Sequence, residues 1–130
     1  MDNLDIKCII SGKDTNGKIS VFEEIVAPNS GPPLHTHENQ FEIFHVISGH
    51  IQFELEGRRI DVHSGGSFVV APGKQHTFIN RSEKESIIHF ELLPSNTSEQ
   101  FFEGLVSGKF DDLALFFNEH GLKLLGPPIK

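Results

Sequence analysis

Tryptophan and tyrosine are missing altogether from the 130 residues, so phenylalanine, with 12 copies, supplies every aromatic ring other than those of the eight histidines. Cysteine occurs once, at Cys8, which rules out an intramolecular disulfide and fits a reducing compartment. No apolar run approaches the roughly 18 residues of a membrane-spanning helix, so a membrane is not an expected partner. The opening residues, MDNLDIKC, lack a basic start followed by an apolar stretch. No secretory signal is therefore expected, and the expected location is cytoplasmic. Arginine is scarce. Arg58, Arg59 and Arg81 are the only three among 11 basic residues, which face 18 acidic ones for a formal net charge of −7. Neutralising a phosphate backbone takes clustered positive charge, so nucleic acid is excluded as an expected partner.

What is present is enough for one domain of ordinary size, able to bury roughly two-thirds of its unfolded surface without staples. No internal repeat, low-complexity tract or linker divides it. Residues 5–93 read as short strands separated by turn formers. Ile6, Cys8 and Ile10 alternate with Lys7 and Ile9, and SGKDTNGK follows as a turn. The run 19–27 is rich in β-formers. PNSGPP, residues 28–33, is neither helix nor central strand, because its prolines lack donors. Strands are expected over 40–47, 51–56, 59–62, 67–70, 75–80 and 86–93. In 51–56 the alternation is clean, with Ile51, Phe53 and Leu55 opposite Gln52, Glu54 and Glu56. Short strands at regular spacing indicate an all-β, antiparallel sandwich or barrel.

The period changes after Pro94. Asn96 or Thr97 is placed to cap a helix, with Glu99 or Gln100 three residues on as in a capping box. Phe101, Phe102, Leu105 and Val106 recur at helical spacing up to Gly108, and Leu113, Phe116, Phe117 and His120 up to Gly121. Pro127 and Pro128 end regular structure. The expected organisation is a β-barrel domain over 1–94 and a short C-terminal helical tail over 95–130. The tail's five phenylalanines pack on the barrel or on a dimer partner, or cover a pocket as a lid.

The most informative stretch is GPPLHTHENQFEIFHVISG, residues 31–49. His35 and His37 are two apart, so on an extended chain both imidazoles point to one face. Glu42 follows five residues later, and His76 opens another strand 34 residues after Glu42. In a closed sheet all four converge on the interior. Three neutral imidazoles and one carboxylate suit a borderline divalent transition metal: Mn, Fe, Ni, Cu, Zn or Co. Four protein ligands leave an octahedral ion two open positions. His45 has the opposite parity to Glu42 and is expected to face away. His50, His63, His89 and His120 are likewise expected at the surface or behind the ligands. Cys8 has no base pattern beside it, no nucleophile elbow is present, and GSF at 66–68 is not a phosphate loop.

These residues resemble the two motifs of the cupin family. The first, G-x5-H-x-H-x3,4-E-x6-G, is matched by His35, His37, Glu42 and Gly49, with Asn29 where the leading glycine belongs. The second, G-x5-P-x-G-x2-H-x3-N, is matched by Gly65, Gly73, His76 and Asn80, with Ala71 where the proline belongs. The resemblance implies a double-stranded jelly-roll β-barrel with His35, His37, Glu42 and His76 as metal ligands near its open end. The Phe-rich tail ending in GPP is similar to the ends of small bacterial cupins often labelled quercetin-dioxygenase-like. Strand parity places Phe44, Phe53, Phe78 and Phe90 around the open metal positions as a substrate pocket. Such a lining suits a small aromatic or dicarbonyl compound better than a polyanion such as oxalate. The leading reading is a metal-dependent oxygenase in which Glu42 is ligand and, when detached, general base. A metal-dependent isomerase, lyase or decarboxylase, and a non-catalytic small-molecule-binding module, stay open beside it. A homodimer is expected, with Leu4 to Ile10 pairing or exchanging at a sheet edge.

Overall fold

The computed structural model describes residues 4–130. The alternating stretches become nine antiparallel strands: β1 (Asp5–Ile10), β2 (Ser20–Val26), β3 (Leu34–His37), β4 (Phe41–Ser48), β5 (His50–Leu55), β6 (Arg58–His63), β7 (Ser67–Val70), β8 (His76–Asn80) and β9 (Ser86–Leu93). Two helices follow, α1 (Ser98–Ser107) and α2 (Leu113–Glu119), and then a tenth strand, β10 (Leu122–Gly126). The strands make two five-stranded sheets, ordered β1-β2-β9-β4-β7 and β10-β3-β8-β5-β6. This is the expected jelly-roll arrangement, built as two separate sheets, with no ladder joining them among the described residues. No helix among the described residues is long and apolar enough to cross a membrane.

The core lies between the sheets. Phe22, Phe44, Phe53, Phe90, Ile51 and Ile88 are fully enclosed there, each burial contributing roughly 1.5–3 kcal/mol. Rings do most of the filling. Phe44 lies opposite Phe90 on one side and Phe68 on the other, and Phe53 lies opposite Phe78 in the facing sheet. With neither indole nor phenol present, the imidazoles of His35, His37 and His76 are the buried polar aromatic groups of this interior.

Two elements differ from the sequence reading. The tail is not purely helical, because Leu122, Lys123 and Leu124 pair with His37, Thr36 and His35, so β10 completes the sheet beside β3. The cap of α1 also differs. Thr97 makes no side-chain cap bond, and Glu99 Oε1 instead accepts from Ser11 Oγ at 2.9 Å and from the Gly12 amide at 2.7 Å. Glu99 thus ties α1 to the short 3-10 turn at Gly12–Thr15. Gly108 does end α1, in the left-handed conformation at φ 68°.

The motif departures have a local explanation. Asn29 sits at φ 58°, a left-handed position that asparagine tolerates better than most side chains. It therefore makes the turn for which the family uses glycine. Asn80, the last motif residue, is completely buried. Its amide donates to the Val26 and Lys84 carbonyls, and its Oδ1 accepts from Ser82 and Ser86. It fixes the β8–β9 turn against the end of β2. Gly31 allows the 28–33 loop to press on β8, since a Cβ there would run into the Phe78 carbonyl. Gly31→Ala is accordingly expected to destabilise the fold by about 1–3 kcal/mol, read as a lowered Tm, whereas Gly57→Ala meets only backbone strain in open space.

Candidate metal centre

Three of the four sequence-assigned ligands come from one sheet and the fourth from the other. His35 and His37 share a face of β3, His35 is directly opposite His76 on β8, and Glu42 projects from β4 across the gap. All four are buried, and one ligand atom from each lies within 4.8 Å of the others. Glu42 Oε1 is 3.2 Å from His37 Nε2 and 3.1 Å from His76 Nε2.

The second ring nitrogen of each histidine is occupied. His35 Nδ1–H donates to the Pro33 carbonyl at 2.7 Å, and His76 Nδ1–H donates to the Lys74 carbonyl at 3.0 Å. A carbonyl can only accept, so these bonds place a proton on Nδ1, and in the neutral imidazole Nε2 is then a lone pair aimed inward. His37 Nδ1 faces Gln40 Oε1 at 3.1 Å. The orientation of that amide is set by its other end. Gln40 Nε2 donates to the Pro94 carbonyl at 2.8 Å, to the Ser95 carbonyl at 3.2 Å and to Ser98 Oγ at 2.8 Å, while Ser98 Oγ donates onward to the Ser95 carbonyl. Gln40 Oε1 is therefore the acceptor, and His37 too presents Nε2 inward. Gln40 escaped the sequence reading because its partners lie more than fifty residues away, at the start of α1.

Electrostatics agree with this donor set. Burial among apolar groups, reinforced by His76 and His37, holds His35 well below the ordinary imidazole value, so it is neutral. Burial works the same way on His37, but the Glu42 charge and the bonds to Glu42 and Gln40 outweigh it and raise the net value. Burial alone would push Glu42 up; His37 and His76 beside it instead hold its carboxyl well below the usual range. Nitrogen lone pairs and a carboxylate brought this close need an electrophile between them. A divalent cation fits that need, taking the place of the proton that Glu42 draws to His37, with one ionised carboxylate and outer partners already in place.

A cavity of about 390 Å³ opens onto the cluster. Its wall includes Phe44, Phe78 and Phe90, as strand parity suggests, together with Phe101, Phe102 and Phe117 from the tail. The helices therefore pack on the sheets and line the cavity at once. Phe102 lies 4.8 Å from Phe22, and Phe117 meets His35 edge-on at 5.9 Å, centroid to centroid. Phe53 is not in this wall. It lies behind Phe44 and Phe78, stacked on Phe68 at 4.5 Å, because β5 is on the far side of β8 from the cavity. The remaining histidines stand apart from the cluster. His45 pairs with Glu91, His89 with Glu23 and His50 with Asp61, all on outward faces, and His120 bonds Thr97.

The cavity also holds a carboxyl that the sequence reading did not single out, Glu24 of β2. Burial, with the charges of Glu42 and Asp5 nearby, pushes it up to about 8.

Two facing antiparallel sheets with three imidazoles and a carboxylate gathered between them define a jelly-roll protein with a candidate metal centre. A model of the cupin domain, Cupin_2, matches residues 22–90, more than half of the chain, and the protein belongs to that family. Among curated proteins, the oxidoreductase macE of Penicillium terrestre is 32% identical over 57 residues, covering 43% of this chain and 22% of that one. The chain thus spans about a fifth of that relative's length. Among solved structures, a predicted oxalate decarboxylase from Thermotoga maritima superposes with a TM-score of 0.67 at 20% identity, covering 70% of this chain and 80% of that one. A Cupin 2 conserved barrel domain protein from Salinispora arenicola does so with a TM-score of 0.63 at 19% identity, covering 79% and 86%. At these identities the two structures share the fold with this chain.

Two outcomes follow from the site. Gln40→Leu removes the acceptor that orients His37 and is expected to weaken divalent-metal binding about 10–100-fold while the fold persists, measured by competition with a chromogenic chelator. Glu24 supplies the second. Its folded value of about 8 lies above the ordinary 4.5, so the stability it contributes is complete below about 4.5 and lost as pH rises through about 8. Glu42, Asp5, His35 and His37 are the titratable groups nearest this effect. The wild-type Tm should fall more steeply than that of Glu24→Gln between about pH 5 and pH 9.

Proposed function

We propose that the protein is a metal-dependent oxygenase acting on a small aromatic or dicarbonyl compound, with His35, His37, Glu42 and His76 as metal ligands. The observation that carries this reading is the cavity wall. Its side chains are mostly phenylalanine and aliphatic, and it contains no lysine or arginine among the described residues. An oxalate-type dianion would need a cation for its second carboxylate, and Arg58, Arg59 and Arg81 all lie outside that wall. A flat, largely apolar guest finds ring faces on several sides. The curated relative's name, an oxidoreductase, points the same way.

Bound to these four ligands, a divalent transition metal would supply Lewis acidity and open coordination positions. The chain's own residues do the rest. Phe44, Phe78 and Phe90 fix the plane of the guest and exclude water, which strengthens every polar contact at the cluster. Glu42 is the ionised carboxylate at the inner end and, when detached as a ligand, takes the proton of an enol or phenol. The tail rings Phe101, Phe102 and Phe117 close the outer side. The quercetin-dioxygenase-like subtype belongs to this same proposal.

Oxygen consumption provides the test. Protein loaded in turn with Fe, Mn, Ni, Cu, Co and Zn is offered acetylacetone, catechol and a flavonol at an oxygen electrode. Consumption with at least one redox-active metal, lost in His76→Ala, is the expected result. Product formation that proceeds equally without oxygen would replace the oxygenase by an isomerase, lyase or decarboxylase.

A further inference from the structure

Glu23 and Glu24 are adjacent and chemically identical, yet they meet opposite environments. Glu23 points outward, where Lys7 at 3.5 Å and His89 at 2.9 Å pair with it. Glu24 points inward on the face of β2 that also carries Phe22 and Val26. It is only 8% exposed, and across the ladders its neighbours are Ile6 and Ile88. Among the described residues, none offers it a hydrogen bond or an ion pair. A carboxyl in such surroundings is costly unless something satisfies it. The remaining side it faces is the cavity, whose wall it forms together with Leu4, Ile6 and Phe90.

Its place relative to the ligands is set by register. Glu42 is level with Leu92 and Ser20, whereas Glu24 is level with Ile88, four residues further along β2. Four residues of strand are about 13 Å, part of which the two side chains take up. The cavity therefore has a polar group at each end and rings between them.

We propose that Glu24 is a specificity-determining residue of this cavity, donating a hydrogen bond from its carboxyl to an oxygen on the part of the guest that lies away from the His–Glu cluster. The favoured guest is then an aromatic compound of one or two rings with oxygen at both ends, one for the metal centre and one for Glu24. This deepens the oxygenase reading and rests on its aromatic guest. The raised titration of Glu24 is consistent with a donor, since the group is largely protonated at neutral pH.

The test uses the full chain loaded with zinc, which binds without redox turnover. Four probes are titrated by calorimetry: 4-acetylbenzoate, 4′-acetylbiphenyl-4-carboxylate, and the isopropyl counterpart of each, which keeps the shape and lacks the acceptor oxygen. Wild type should bind at least one acetyl compound about tenfold or more tightly than its isopropyl counterpart. Glu24→Gln keeps a donor and should retain that preference within about threefold; Glu24→Leu should lose it. Tm values of both variants confirm that the fold is intact. An undiminished preference in Glu24→Leu overturns the assignment of Glu24 alone. Loss of the preference in Glu24→Gln overturns the donor role. Failure of wild type to bind any of the four overturns the aromatic-guest reading, and the proposal with it.

Discussion

The arrangement of this protein turns on one carboxylate. Glu42 reaches from one sheet into three imidazoles carried by the other, and a buried charge in that position is tolerable only beside positive charge, whether a proton on His37 or a cation held among the inward Nε2 atoms. The two sheets share no ladder among the described residues, so packed side chains, the chain connections and loop bonds such as that from the Asn29 amide to the Asn80 carbonyl hold them face to face. Rings supply the bulk of that contact through the middle of the sandwich. At the ligand end, the polar cluster replaces them. That end is where apolar packing gives way to the candidate site.

The cluster is supported from behind at each histidine, and each support belongs to a different part of the chain. Pro33, in the loop before β3, holds His35, and Lys74, in the turn before β8, holds His76. Gln40 holds His37 while gripping the backbone at Pro94 and Ser95 and the hydroxyl of Ser98. The first residue of α1 is therefore bonded to a residue that orients a ligand. The same helix is fastened at Glu99 to the 3-10 turn at the other end of the sequence. The helices accordingly belong to the structure of the site, both as its outer wall and through this hydrogen-bonded chain.

Much of this was legible in the sequence because it follows from a period of two. His35 and His37 share a face for that reason alone, and Phe44 follows Glu42, and Phe78 follows His76, into the wall. What parity left out was depth within a face. Phe53 has the right parity, yet β5 sits beyond β8 from the cavity, and only sheet order reveals that. Gln40 depends on partners over fifty residues distant, which leave no local pattern. Glu24 did leave one. A carboxylate between Phe22 and Val26 on a strand's inward face breaks the alternation, and such breaks concentrate where function overrides packing. β10 also left a trace in the Leu122–Lys123–Leu124 alternation, overshadowed by the glycine before it and the two prolines after it. Asn29 shows that one backbone requirement can be met by two residue types, because a left-handed φ is what the turn needs.

The pairing of β3 with β10 bears on the order of events in folding. β3 meets β8 in register at a single residue pair, His35 with His76, whereas four pairs join it to β10. About eighty-five residues separate His37 from Leu122, its partner in that ladder. Contacts of such long sequence separation must close a long loop at an entropic cost, so this ladder is expected to form late. On that expectation the histidine-bearing strand gains the longer of its two ladders late. A chain lacking that ladder would carry these imidazoles on a ribbon paired only at His35 with His76, so the geometry of the candidate site depends on the last strand of the sandwich.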